Sequence, residues 1–129
     1  MPSTATKVIT VGAYDARFDQ AAAFSGRGYT RATNQVKPDL VAPGVEIMSC
    51  APGGGYQVRT GTSMATPFVT GSAALLMQWG IVNGNDAYLY RGKKMKAYLI
   101  RGARKLPGFT VYPNPVLGWG ALCTANSIP

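Results

Sequence analysis

The sequence predicts a single α/β domain, on three observations. Short β-branched or apolar runs bounded by Gly and Pro fill residues 8–59, and helical patterns fill most of residues 63–105. The 129 residues, 47% of them hydrophobic, suffice for one modest core and no more. The Val, Leu, Ile and aromatic content also separates this chain from a disordered one.

Taken in order, Val8-Ile9-Thr10-Val11 is a β-branched run that predicts a buried strand ended by Gly12. Phe24-Ser25-Gly26-Arg27-Gly28 predicts a turn, and a polar loop follows to Lys37. Asp39 to Gly44 reads as a short strand stopped by Pro43-Gly44. Val45 to Cys50 and Tyr56 to Arg59 predict a hairpin whose tip is Pro52-Gly53-Gly54-Gly55. With no following Lys-Ser/Thr and no G-x-G-x-x-G spacing, those glycines make a turn rather than a phosphate loop.

The second half is helical. Ser63 to Trp79 is apolar on nearly all sides, which predicts a central helix stopped at Gly80. Arg91 to Lys105 is amphipathic. Met95, Tyr98, Leu99 and Leu106 form its apolar stripe, basic residues cover the other faces, and Pro107-Gly108 ends it. A last short helix is expected from Gly120 to Ser127, and no internal repeat or low-complexity tract interrupts the pattern.

The composition excludes whole classes of chemistry. The chain has no histidine, so no Ser-His or Cys-His machine and no imidazole-ligated metal can be built from it alone. Cys50 and Cys123 form no C-x-x-C pair and read as two free thiols buried as small hydrophobes. Thr60 to Asn85 carries no charge, but its longest wholly apolar run is Ala73 to Met77, whereas a membrane span needs roughly 20 predominantly apolar residues. The start, Met1-Pro2-Ser3-Thr4-Ala5, has neither the basic nor the apolar region of a secretion leader.

Gly61-Thr62-Ser63-Met64-Ala65-Thr66-Pro67 puts a serine at the first turn of a long helix, directly after a strand and a Gly-Thr turn. A helix N-terminus offers unpaired N–H groups and partial positive charge, which would stabilise the anion of an acyl tetrahedral intermediate. Gly61 would let another backbone approach closely. The plainer reading is that Ser63 or Thr62 is an N-cap, worth ~1 kcal/mol, and residue type alone favours that one.

The same segment resembles the nucleophile signature of the subtilisin-like serine peptidases, the subtilases. Val8 to Ala13, Phe24 to Gly28 and Lys37 to Gly44 resemble the family's upstream segments, so four matches stand in the family's order. Met77 to Ile81, Ala97 to Arg104, Tyr112 to Pro115 and Gly118 to Gly120 are similar to clostridial subtilases, including the Csp-type spore germination proteases. The resemblance implies that residues 1–129 are the C-terminal portion of a subtilisin-like parallel-sheet three-layer domain. It also implies peptide-bond hydrolysis through an acyl-enzyme on Ser63, with no cofactor. The family's Asp, His and oxyanion Asn precede the Val8-like strand, so they are expected outside this chain, which alone would be inactive. No S-x-x-K occurs, and Lys37 and Lys93 are the nearest lysines to Ser63 in sequence, so a Ser-Lys dyad is not expected to substitute. Phe68 stands where the family often has a histidine that is not the triad base.

By the same resemblance, Phe24 and Arg59 flank the leaving-group side of the cleft, and Gly61 and Thr62 border the scissile bond. For Phe24 core packing is an equal alternative, and for Arg59 a solvated hairpin end is the preferred reading. Asp39 and the turn around Asp15 could contribute to a weak cation site found in some relatives; local pairing is the preferred reading of Asp39. The resemblance implies secretion or a spore-associated setting.

Seven of the 13 basic residues fall from Arg91 to Lys105. With no exposed aromatics interleaved and no nucleic-acid motif, this reads as a solvated helix face rather than a nucleic-acid footprint. The expected partners are a protein or peptide substrate and either the N-terminal part of the same peptidase domain or a second copy, with no nucleic acid or membrane. The rival function is a non-catalytic subtilase-like segment that acts by protein association.

Overall fold

The computed structural model describes residues 2–129, so Met1, first in the start read for a leader, lies outside the described residues. Its strands are β1 (Val11–Asp15), β2 (Gln20–Ala21), β3 (Leu40–Pro43), β4 (Ile47–Cys50) and β5 (Tyr56–Arg59). β1 runs parallel to β3 and antiparallel to β2, in the order β2-β1-β3, while β4 and β5 form the expected antiparallel hairpin. Val11 lies beside Leu40, Gly12 beside Val41 and Ala13 beside Ala42. Past β3 the sheet continues through single bridges, Val41 to Ala121 and Ala121 to Arg104.

The first strand lies later than its β-branched run suggested, because Gly12 is inside it rather than at its end. A Cβ there would sit 2.8 Å from the Ser25 hydroxyl and 3.0 Å from both Pro38 and Val41, so glycine is required by packing, not by a turn. The pleat then sorts the strand residues onto two faces. Ala13, Leu40 and Ala42 join one core with Ala65, Val69, Leu76, Leu89, Met95 and Leu99. Tyr14 and Val41 join the other with Leu106, Leu117 and Ala121.

Helix α1 (Thr62–Met77) packs on β1 and β3 through Ala65, Val69, Ser72 and Leu76. Gly80 does not stop it. A π-helical turn carries it through Gln78–Val82, and Gly80 is buried because a Cβ would stand 2.2 Å from Leu89. Nor is the helix enclosed on every side: Phe68, Leu75, Met77, Ile81 and Val82 are exposed. By length and composition Thr62–Val82, with a hydropathy of 1.2, could cross a membrane, but its buried stripe is spent on the sheet.

Helix α2 (Gly92–Gly102) ends well before Pro107, since Gly102 meets the backbone of Ser127 at 2.5 Å from where a Cβ would be. The residue that packs there belongs to α3 (Thr124–Ser127), which is shorter than expected because Ala121 is drawn into the sheet. Cys50 and Cys123 are free thiols, but Cys50 is exposed and Cys123 half-buried, so neither is a core residue.

Three of the seven basic residues from Arg91 to Lys105 are ion-paired. Lys94 pairs with Asp86, Lys96 with Asp39 and Arg104 with Asp19. Arg91 lies over the Tyr88 and Tyr90 rings, and Lys105 lies over Tyr112.

Asp86 joins α2 to the 3-10 turn Ala87–Tyr90. It accepts from the Lys94 ammonium at 2.6 Å, the Tyr98 hydroxyl at 3.0 Å and the Tyr88 N–H at 3.1 Å. The Lys94 contact, reinforced by the other two donors and opposed by desolvation, holds its carboxyl below the ordinary value of 3.8. A carboxyl depressed in the folded state stabilises the fold above its unfolded pKa, and that contribution is lost as pH falls through the folded value. Asp86→Asn is therefore expected to melt lower than the parent at neutral pH, with the two curves converging as the pH falls below the ordinary carboxyl value of 3.8. Thermal unfolding across pH checks this, and a difference that persists unchanged at pH 2 would contradict it.

Candidate active site

The chain from β5 into α1 is held by a short backbone relay. The Gly44 N–H donates to the Tyr14 carbonyl at 3.0 Å, the Gly61 N–H to the Gly44 carbonyl at 2.8 Å, and the Met64 N–H to the Gly61 carbonyl at 3.0 Å. The Thr60 hydroxyl accepts from the Glu46 N–H at 2.9 Å. These bonds dock the start of α1 at the carboxyl ends of β1 and β3, where open α/β sheets place their ligand sites.

For close packing the glycine this docking needs is Gly44, while Gly61 is needed for its backbone, whose φ of 158° side chains rarely adopt. A Cβ on Gly44 would lie 2.6 Å from the Ala13 Cβ and 2.9 Å from the Gly61 carbonyl oxygen, whereas one on Gly61 meets nothing closer than 3.6 Å. The close backbone approach expected at Gly61 is real, but its partner carries the steric demand.

Ser63 is exposed in the first turn of α1. Gly61 is the N-cap residue, and no side chain caps the helix. The capping role that residue type favoured is thus not taken up by Ser63 or Thr62. Two hollows flank this turn. Thr62 lines one of about 880 Å³ with Thr10, the loop Gly26 to Thr33, and Lys37-Pro38. Arg59 and Met64 line a smaller one of about 270 Å³ with Ile47, Ser49, Cys50, Pro52 and Gln57. Phe24 is half exposed and lines neither, between buried Ala22 and Ser25, whose hydroxyl accepts from the Ala13 N–H at 3.0 Å.

Gln57 escaped the sequence reading. With its amide oxygen turned toward Arg59, as the two donors require, it accepts from Nε at 2.9 Å and Nη2 at 2.8 Å. The signal was available, since residues two apart on a strand share a face. On the other side of the relay, Arg17 bridges Asp15 and Glu46. The Arg17 hydrogen bond keeps the Asp15 carboxyl below its ordinary value.

Asp39 and Asp15 pair locally, and a weak cation site does not fit them. Both oxygens of buried Asp39 are taken, one by the Lys37 ammonium at 2.8 Å and the other by that of Lys96 at 2.6 Å. Asp15 is committed to Arg17 at 2.7 Å. Two ammonium groups against one carboxylate leave a positive site that repels a metal ion.

The model of the Subtilase family, peptidase S8, matches residues 1–120. The chain belongs to the subtilase family. It is 40% identical over 148 aligned positions to the serine protease AprX of Bacillus subtilis, covering 99% of this chain and 31% of that protein. To the intracellular serine protease of Paenibacillus polymyxa it is 46% identical over 77 residues, which cover 60% of this chain and 21% of the relative. Among solved structures, the Clostridium perfringens CspB protease superposes with a TM-score of 0.92 at 45% identity, covering 98% of this chain and 27% of that one. The patellamide maturation protease PatA gives 0.75 at 29% identity, covering 99% of this chain and 44% of that one. The subtilase chain thus matches part of a subtilisin domain, as an α/β segment with parallel strands.

The relay makes a direct prediction. Gly44→Ala is expected to destabilise by about 1–3 kcal/mol, because Ala13 and the Gly61 carbonyl must both move. Gly26→Ala, where a Cβ meets nothing within 4 Å, is expected to be near neutral. Denaturant titration of the two variants separates them, and equal losses would refute the steric reading.

Proposed function

We propose that Ser63 is the nucleophile of a subtilisin-like serine endopeptidase, and that residues 1–129 are the part of its catalytic domain that bears it. The observation that carries this reading is the uncapped, exposed hydroxyl of Ser63 at the carboxyl ends of two parallel strands, inside the family's signature segment. Ser63 Oγ would attack the scissile carbonyl carbon and lose its proton to a histidine. The carbonyl electrons collapse back, the amine leaves with that proton, and water then releases the acyl group from Ser63. Since the chain has no histidine, the base and its orienting aspartate come from residues outside it. The substrate is a peptide or protein.

The exposed apolar residues of α1 favour assembly with a covering element, which the association reading requires as well. A fluorophosphonate probe separates the two. The 129 residues alone are expected to resist labelling, the complete protease to react, and Ser63→Ala to abolish that reaction. Labelling of the chain alone would overturn the divided machinery, and a complete protease that never labels would leave association as the function.

Arg59 supports a finer expectation. Its guanidinium, held by Gln57 in the hollow that Met64 also lines, would favour Asp or Glu just after the cut. In the complete protease, Arg59→Ala is expected to reduce a few-fold the ratio of kcat/KM for paired peptides with Glu or Lys at that position. Added salt should reduce the ratio in the parent and leave the variant unmoved. An unaltered ratio in the variant would return Arg59 to the solvated hairpin end.

A further inference from the structure

We propose that the ammonium groups of Lys37 and Lys96 act as a built-in cation, filling an oxygen cage that a bound metal ion would otherwise occupy. Four oxygens converge there. The Lys96 Nζ lies 2.6 Å from one Asp39 carboxylate oxygen and donates to the carbonyls of Thr6 and Val8, each at 3.1 Å. The Lys37 Nζ lies 2.8 Å from the other carboxylate oxygen and donates to the same Val8 carbonyl at 3.2 Å. Asp39 also accepts from the Thr10 N–H at 2.7 Å.

The site is secluded, with 6% of the Asp39 side chain, 8% of Lys37 and 18% of Lys96 exposed. Charge balance alone does not account for it. One lysine would neutralise Asp39, and a second buried ammonium costs free energy unless something else compensates it. The compensation comes from the Thr6 and Val8 carbonyls, whose dipoles face the two nitrogens as they would a hard cation. The cage joins three separated stretches: the approach to β1, the start of β3 and the middle of α2. A metal ion doing this would make stability depend on its concentration. A tethered ammonium does not.

Removing Lys96 should therefore uncover a hard-cation site made of the Thr6 and Val8 carbonyls and one Asp39 oxygen. The test is thermal unfolding of the full chain and of Lys96→Ala in potassium, calcium and choline chlorides at matched ionic strength. The parent is expected to melt at one temperature in all three. Lys96→Ala should melt lower in choline and recover about 5 °C in potassium or calcium. Lys96→Gln, which keeps a neutral donor over the carbonyls, is run in the same salts in case the alanine variant does not fold. A cation gain in either variant that the parent lacks supports the cage. Variants indifferent to the salt, variants folded in none of the three, or a parent with as large a gain overturn it.

Discussion

The contact on which the site depends is that of Gly44 with Ala13 and with the Gly61 carbonyl. It is a packing constraint before it is a chemical one. β3 lies beside β1 only if the turn that follows it can pass over Ala13, and α1 starts where it does only if the same turn can receive the Gly61 N–H. One missing Cβ satisfies both. The first turn of α1 is consequently fixed to the sheet by backbone atoms, which leaves the side chains of Thr62, Ser63 and Met64 free for other work. A helix start tied down by its own Ser63 hydroxyl would have consumed the group that the proposed chemistry needs.

Electrostatics follows a similar economy. Each of the five carboxylates is paired with a base: Asp15 and Glu46 with Arg17, Asp19 with Arg104, Asp39 with Lys37 and Lys96, and Asp86 with Lys94. These pairs differ in weight. Arg17 and Glu46 are well exposed, and a pair of that kind contributes little because water and salt screen it. Asp39 is buried and held by two ammonium groups, so only the loss of both would strand its charge in a poorly solvated place. Asp39 also joins segments far apart in sequence, whereas Asp15 and Arg17 only stiffen a turn. The surplus of eight positive charges is therefore an excess left over after every acid has been used, not one continuous patch.

Much of this was legible in the chain because it is local. The Pro43-Gly44 stop placed β3, the turn from Pro52 to Gly55 placed the β4–β5 hairpin, and the stretch of Ala, Leu, Met and Val after Gly61 placed α1. What misled was glycine. Gly12 and Gly80 were read as terminators, yet both are interior positions where neighbours occupy the space of a Cβ. Sequence reveals that a residue is small but not what stands against it. Gly44 escaped for the same reason, since Ala13 and Gly61 approach it only in the fold. Lys37 and Asp39 are two apart and could be paired on paper, but Lys96 could not be placed beside them.

The two functions considered for this chain, nucleophile carrier and partner in an assembly, need not compete, because one rigid element serves both. α1 carries Ser63 in its first turn and continues without a break into the π-helical turn ending at Val82. At about 1.5 Å per residue Ser63 and Val82 are about 28 Å apart. Phe68, Leu75, Ile81 and Val82 stay exposed along it. In the proposed protease, whatever covers those residues is registered by close packing against the same helix that carries Ser63. A histidine on the covering part would then be held relative to the Ser63 hydroxyl through packed side chains, not through a flexible link. The exposed apolar surface of α1 is thus the surface that would align the missing base, and assembly would be a condition of the chemistry.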